Sequence, residues 1–305
     1  MRSLIGFAAI PFCLLSASGL ISAAESADKS TVFQPIETIQ VEGTILKIDL
    51  PDGRILRSAD LVGANLLIKN SDRLARVRID GIEPDPDYHA GNGRGAVILH
   101  SLSIEREDGS FGPLCQAGPD GRRQAIPLRG KMNLSEGRFE IDGSDSFELA
   151  CTAGAMGKCI RFGYGPSKQP DQLSLDRYNA CIRMVRADYG GMGEGTTRNG
   201  MRIDLYDDAG INSPESTAAS QALEFEAGWT ASGAVCVNHV RVAENITLEK
   251  IEQRWPRLAG LTGSVCTEQF ARSHGALILN RSVPPSADRN PVGSGGSPSE
   301  RPPMQ

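Results

Sequence analysis

Few residues in this chain combine the types and the spacing that chemistry requires. Asp188 and Tyr189 stand side by side at the end of a helical pattern, and Glu226 lies in a strand-like run further on. A carboxylate beside a phenol in a cleft can serve as general base and acid, so Asp188, Tyr189 and Glu226 are the candidates for catalysis. A structural account competes with this and is the one adopted. Asp188 falls in the last turn of its helix, where a negative charge opposes the macrodipole by about 0.3 to 1 kcal/mol, so something must compensate it. Amides of the Gly190 to Thr197 loop, or the cations Arg161 and Arg186, are available partners. No other acid, base or nucleophile is tied to Asp188 in sequence, and structural ion-pair networks also gather carboxylates; no catalytic residue is assigned.

Other constellations carry less. Gly190-Gly-Met-Gly-Glu-Gly195 lacks the Gly-Lys-Ser/Thr ending of a phosphate loop and follows a helix instead of a strand, so it reads as a flexible surface loop. His89, His100, His239 and His274 are scattered, with no His-Glu-x-x-His spacing and no Gly-x-Ser-x-Gly elbow. Asp85, Asp87 and His89 share a Pro-rich turn without EF-hand spacing, and read as a solvated loop. In Phe225-Glu-Ala-Gly-Trp229 strict alternation places both aromatics and Ala227 on one strand face and Glu226 on the other. Core packing by Phe225 and Trp229 is preferred to sugar stacking by Trp229. No metal site and no cofactor is implied.

Cysteine is the informative residue type. The chain opens with Arg2, an apolar stretch from Leu4 to Leu15 and small residues up to Ala24, the pattern of a signal peptide cut after Ala24. Pro11, Ser16, Ser18 and Gly19 interrupt that stretch, which falls short of the run of about 20 apolar residues needed to span a bilayer. Cys13 leaves with it. Cys115, Cys151, Cys159, Cys181, Cys236 and Cys266 remain, an even number in an exported chain, and are expected to pair as disulfides in an order the sequence does not select. No pair has the spacing of zinc ligands or of a redox C-x-x-C. Net charge is −5 with acids and bases interspersed, which excludes a nucleic-acid footprint and a polybasic membrane patch.

The elements that must position these residues are those of an α+β protein. A polar leader covers residues 25–35. Residues 36–149 are strand-like, broken at Pro51-Asp52-Gly53, Asp80-Gly81, Asp108-Gly109, Asp120-Gly121, Glu136-Gly137 and Asp142-Gly143, which suggests a β-rich sandwich or barrel. Residues 150–282 form a disulfide-stapled α+β region with two main helices and a small antiparallel sheet. Its first helix is capped by Ser174, carries Leu175, Tyr178, Cys181, Ile182 and Val185 on one stripe, and stops at Gly190. Cys181 therefore points into the core, where a bridge would staple the helix. Strands follow at Met201 to Leu205, Leu223 to Trp229 and Ala234 to Val242, then a second helix capped by Thr247 and ended by Pro256. Residues 283–305 are a Pro/Ser/Gly-rich tail expected to be disordered.

Several motifs in one order carry a resemblance. They are Cys151-Thr-Ala-Gly-Ala-Met-Gly-Lys-Cys159, Phe162-Gly-Tyr-Gly-Pro166, Ala180-Cys-Ile-Arg-Met-Val-Arg-Ala-Asp-Tyr189, the loop with Thr197, and Phe225-Glu-Ala-Gly-Trp229 through Ala234-Val-Cys236. Over roughly residues 110 to 280 the chain resembles the ADYC-domain family of exported bacterial proteins, named for an Ala-Asp-Tyr-Cys string. Gly190 stands here in place of the namesake cysteine, Ser167 follows Pro166 where the family pattern has tryptophan, and Trp255 stands where relatives carry a cysteine. If those two cysteines form one bridge in relatives, it is lost here as a unit, and the junction of the 190s loop with the second helix is expected to be looser. The resemblance implies an exported bacterial protein of unknown function. The residues themselves favour a non-catalytic binding or envelope-associated module, periplasmic or extracellular, whose partner, in the envelope or outside the cell, the sequence does not identify. A secreted hydrolase using Asp188 with Glu226 or a histidine is the alternative, and a structural part of a surface assembly with the tail as tether is a third.

Overall fold

The computed structural model describes residues 15–16, 20–22, 33–70, 73–86, 88, 96–143, 145–166 and 171–285. Most of the expected signal peptide, Asp87, His89, Ser167 and nearly all of the expected tail lie outside the described residues. The strands are β1 (Leu15–Ser16), β2 (Leu20–Ser22), β3 (Phe33–Pro35), β4 (Thr38–Glu42), β5 (Ile45–Asp49), β6 (Ile55–Arg57), β7 (Asn65–Asn70), β8 (Arg73–Pro84) and β9 (Ile98–Glu105). There follow β10 (Phe111–Pro113), β11 (Gln124–Arg129), β12 (Lys131–Asn133), β13 (Arg138–Glu140), β14 (Phe147–Cys151) and the helices α1 (Ala155–Cys159) and α2 (Gln172–Arg186). The chain continues through β15 (Ile203–Tyr206), β16 (Glu224–Thr230), β17 (Gly233–Val237), α3 (Leu248–Arg254), α4 (Glu268–Ser273) and β18 (Ile278–Ser282).

The first half is β-rich, as the turn signals required. Alternation does the work locally: in β4 and β5 every second residue, Ile39, Val41, Leu46 and Ile48, is buried, while the residues between stay half in water. β14, β11, β9, β8 and β7 run side by side, and β1 pairs with both β7 and β14, so the sheet returns on itself as a barrel does. Its interior holds Leu66, Ile68, Val77, Ile79, Leu102 and Phe147. The bridge Cys115–Cys151 closes one end of this layer.

In the second half β15, β18, β16 and β17 form an antiparallel sheet with α2 packed across it. Residues from both sides of position 150 share this core: Leu99, Ile126 and Phe139 meet Met156, Tyr178, Ile182, Trp229 and Ile278. Cys181 is fully buried and bonded to Cys159, which staples α2 to α1 as its place on the helix stripe predicted. Cys236–Cys266 lies on the opposite side of the sheet, with Tyr206, Leu279 and Ala271 of α4.

Three local expectations are corrected. The cap of α2 is Asp171, whose carboxylate accepts the Ser174 amide at 2.7 Å, because an aspartate three residues ahead of Ser174 reaches that amide from outside the helix. The helix ends at Ala187, not at Gly190; Ala187 takes a left-handed conformation (φ 50°) and its amide bonds Arg183 and Met184 carbonyls. β17 stops at Val237, five residues short of the expected end; the Asn238 amide makes one further bond to β16, at the Glu226 carbonyl, before the chain leaves the sheet.

One buried acid sits at the seam between the halves. Glu148 on β14 accepts the Met132 amide of β12 at 2.9 Å, and burial raises its carboxyl to about 7 despite that bond. A raised folded-state pKa contributes stability that is present below the ordinary carboxyl value and lost as pH rises through about 7. Urea titrations between pH 4.5 and pH 8 are expected to show the wild type gaining up to about 3 kcal/mol relative to Glu148→Gln as pH falls across that window.

Candidate functional site

Asp188 and Tyr189 follow directly on the left-handed turn at Ala187, which swings both side chains under the sheet. Asp188 is wholly buried. Its Oδ1 accepts the amides of Gly191 (2.9 Å) and Met192 (3.2 Å), its Oδ2 accepts the amide of Gly193 (2.7 Å), and Arg183 Nη1 donates to Oδ2 at 2.6 Å. Gly191 and Gly193 hold φ of +75° and +82°, the conformation that aims successive amides at one point. The glycine-rich segment expected to be a flexible surface loop is thus an anion cradle filled by the chain's own carboxylate. The cation that meets Asp188 is Arg183; Arg161 pairs with Asp85 and Asp120, and Arg186 donates to the Gly193 carbonyl.

Arg183 extends the cluster to two more loops. Its Nη2 donates to the Glu136 carbonyl at 2.6 Å and its Nε to the Ala231 carbonyl at 3.1 Å. Arg257 adds a second clamp, donating to the carbonyls of Ala234, Tyr189, Gly190 and Ser232. Gly137 and Gly193 lie back to back, so that a side chain at Gly137 would collide with the neighbouring backbone. Gly190 lies against the Trp255 indole, which occupies the space a Cβ at 190 would need. Positions 190 and 255 are neighbours, and an indole fills the junction between them.

Glu226 forms the second buried hub. It faces the same side as Trp229, not the opposite one, because β16 carries a bulge between Phe225 and Ala227 against β18. Phe225 turns to the Cys236–Cys266 side, whereas Ala227 and Trp229 join the main core. Arg241 grips the carboxylate with Nε and Nη2, each at 3.0 Å, Asn280 donates at 2.8 Å, and the Tyr189 hydroxyl donates at 3.0 Å while accepting the Arg241 amide. Arg241 also donates to the Met184 and Val185 carbonyls, satisfying the end of α2. Burial pushes Glu226 up, but Arg241 and the bonds from Ser282 and Asn280 outweigh it and hold the carboxyl below its ordinary value. Burial raises the Tyr189 phenol well above its ordinary value, with Glu226 adding to the effect.

The remaining sequence candidates disperse. Trp229 is fully buried, stacks on Tyr189 at 5.3 Å between centroids and donates its Nε1 to Asn280 at 2.7 Å, so its face is not open to a sugar. His239 lies 3.0 Å from Ser282 Oγ, and Ser282, a partner of Glu226, is wholly buried. His100 pairs with Ser58 inside the barrel, and burial lowers it to about 4. His274 stacks on Phe270. Asp85 is buried against Arg161 and is not part of a solvated loop. No group of three potential metal-binding side chains occurs among the described residues. Arg183 and Arg241, the partners that decide the site, were not singled out in sequence. Each stands alone among apolar neighbours, in Ile182-Arg-Met184 and Val240-Arg-Val242, and a lone arginine there is a readable sign of a buried counter-ion.

Against known proteins, the ADYC domain family model matches residues 58–243, beginning well before the quoted motifs and ending before α3. None of the curated proteins and none of the solved structures match the chain. No helix among the described residues is long and apolar enough to cross a membrane.

Removing the charge of Glu226 leaves Arg241 buried without its counter-ion. Glu226→Gln is expected to lose about 3 kcal/mol or more in urea unfolding at neutral pH. A change under about 1 kcal/mol, the range of an exposed pair, would contradict the assignment.

Proposed function

This chain belongs to the ADYC-domain family, and we propose that it acts as an exported, non-catalytic binding or envelope-associated module. The reading is carried by one observation: Asp188, Tyr189 and Glu226 are fully buried, and the chain's own donors and acceptors occupy them. A general acid or base needs a lone pair or proton that can reach substrate. Here those atoms hold loops and helix ends. Three disulfides support residence in an oxidising compartment, in keeping with a leader cut after Ala24.

Rigidity at one corner supports binding. The β12–β13 turn, the Gly190 to Gly195 loop and the Ala231-Ser232 turn converge on Arg183 and Arg257. Leu134 and Met192 project from two of these loops and are 56% and 57% exposed. Apolar side chains on a fixed backbone bind with little ordering cost. Residues 283–305 would serve as a tether to the envelope.

A panel of fluorogenic ester, peptide and glycoside substrates, tested on the exported protein with Asp188→Asn and Glu226→Gln, checks the reading. Turnover is expected to stay at buffer background for all three proteins while both variants melt lower. Turnover by the wild type that either variant abolishes without lowering its melting temperature would overturn it in favour of a hydrolase.

A further inference from the structure

An oxidant reaching this protein meets one fully exposed sulfur among the described residues. The six cysteines there are all bonded in bridges, and both indoles, Trp229 and Trp255, are buried. Met132, Met156 and Met184 lie in the main core, and Met201 is half-buried. Met192 is 57% exposed. The backbone beneath keeps it there. Its amide and those of Gly191 and Gly193 bind the Asp188 carboxylate, which fills the inner side of the loop, and Arg186 donates to the Gly193 carbonyl. Leu134 is exposed on the β12–β13 turn, whose Gly137 backbone abuts Gly193. The thioether and Leu134 are thus the apolar elements of one rigid corner.

We propose that Met192 is a site of reversible oxidation, at which hydrogen peroxide converts the thioether to its sulfoxide and removes the apolar character of this corner while the loop beneath stays in place. The step balances. A sulfur lone pair attacks one peroxide oxygen, the O–O bond breaks, and the departing hydroxide takes the proton of the transferred oxygen and leaves as water. Sulfur gives up two electrons and the peroxide takes them. A sulfoxide reductase supplied with a dithiol reverses the step, yielding water and a disulfide. The sulfoxide is polar, so it disrupts packing where a methionine is buried and changes only the surface where one is exposed. The bonds to Asp188 come from backbone amides and do not depend on the state of the sulfur. As regulation of the binding corner the inference rests on the binding reading above; the selectivity of the modification does not.

The test treats the purified protein with dilute hydrogen peroxide and follows the sulfoxide at each methionine by peptide mass spectrometry. Met192 is expected to react at least about tenfold faster than Met132, Met156, Met184 and Met201, because a covered sulfur reacts only when its surroundings open. The oxidised protein should elute earlier from a phenyl column with an unchanged melting temperature, and a methionine sulfoxide reductase with dithiothreitol should restore its retention. Met192→Leu, which keeps an apolar side chain, should hold its retention through the same treatment. The proposal is overturned if Met201 or a core methionine reacts as fast as Met192, if the sulfoxide at 192 leaves retention unchanged or lowers the melting temperature, or if Met192→Leu loses retention equally. None of these readouts involves turnover or a partner, so the binding reading stands or falls on its own test.

Discussion

An ionised carboxylate withdrawn from water has to be met by donors on every side, and this fold is arranged around two of them. Asp188 and Glu226 are each wholly buried, and Tyr189 links their surroundings: it follows Asp188 in the chain and bonds Glu226 through its hydroxyl. Satisfying Asp188 requires the left-handed turn at Ala187, two glycines with positive φ and Arg183. Satisfying Glu226 requires the bulge in β16, Arg241 and Asn280. The end of α2, the glycine loop and the central strand of the second sheet are therefore coupled through charge, beyond their shared apolar core.

Such pairs contribute little net stability, because desolvation of both ions offsets most of their attraction. Their effect is on which arrangement is allowed. A slip of β16 by one residue would carry Glu226 away from Arg241 and leave two unpaired charges in the core, a penalty of several kcal/mol. Apolar burial holds the halves together and the three disulfides brace elements within them; the ion pairs select the register in which the second sheet is held. The same arrangement explains how a loop with four glycines in six residues, Gly190 to Gly195, can be fixed at the surface.

Much of this was legible in the sequence where local rules apply. The even number of cysteines announced bridges, and the stripe on α2 placed Cys181 inward, since helical period alone decides that. The β-rich first half followed from its turn signals. Bridge partners were not legible, because pairing depends on which elements meet after folding. The face of Glu226 was misread for a definite reason: alternation assumes an unbroken ladder, and a bulge resets it at no cost visible in the residue types. For Asp188 the compensating loop amides were foreseen, but its cation was not. Arg183 lies within the same helix and reaches Asp188 only because the chain reverses at Ala187.

The central claim is that Asp188 is an internal anion organising the 190s loop. Amide hydrogen exchange of Met192 and Gly193, whose amides bond the Asp188 carboxylate, followed by NMR in the wild type and in Asp188→Ala, tests it most directly. These amides should be protected in the wild type and exchange close to the unprotected rate in the variant, with a lower melting temperature. Unchanged protection and unchanged melting in Asp188→Ala would contradict the account.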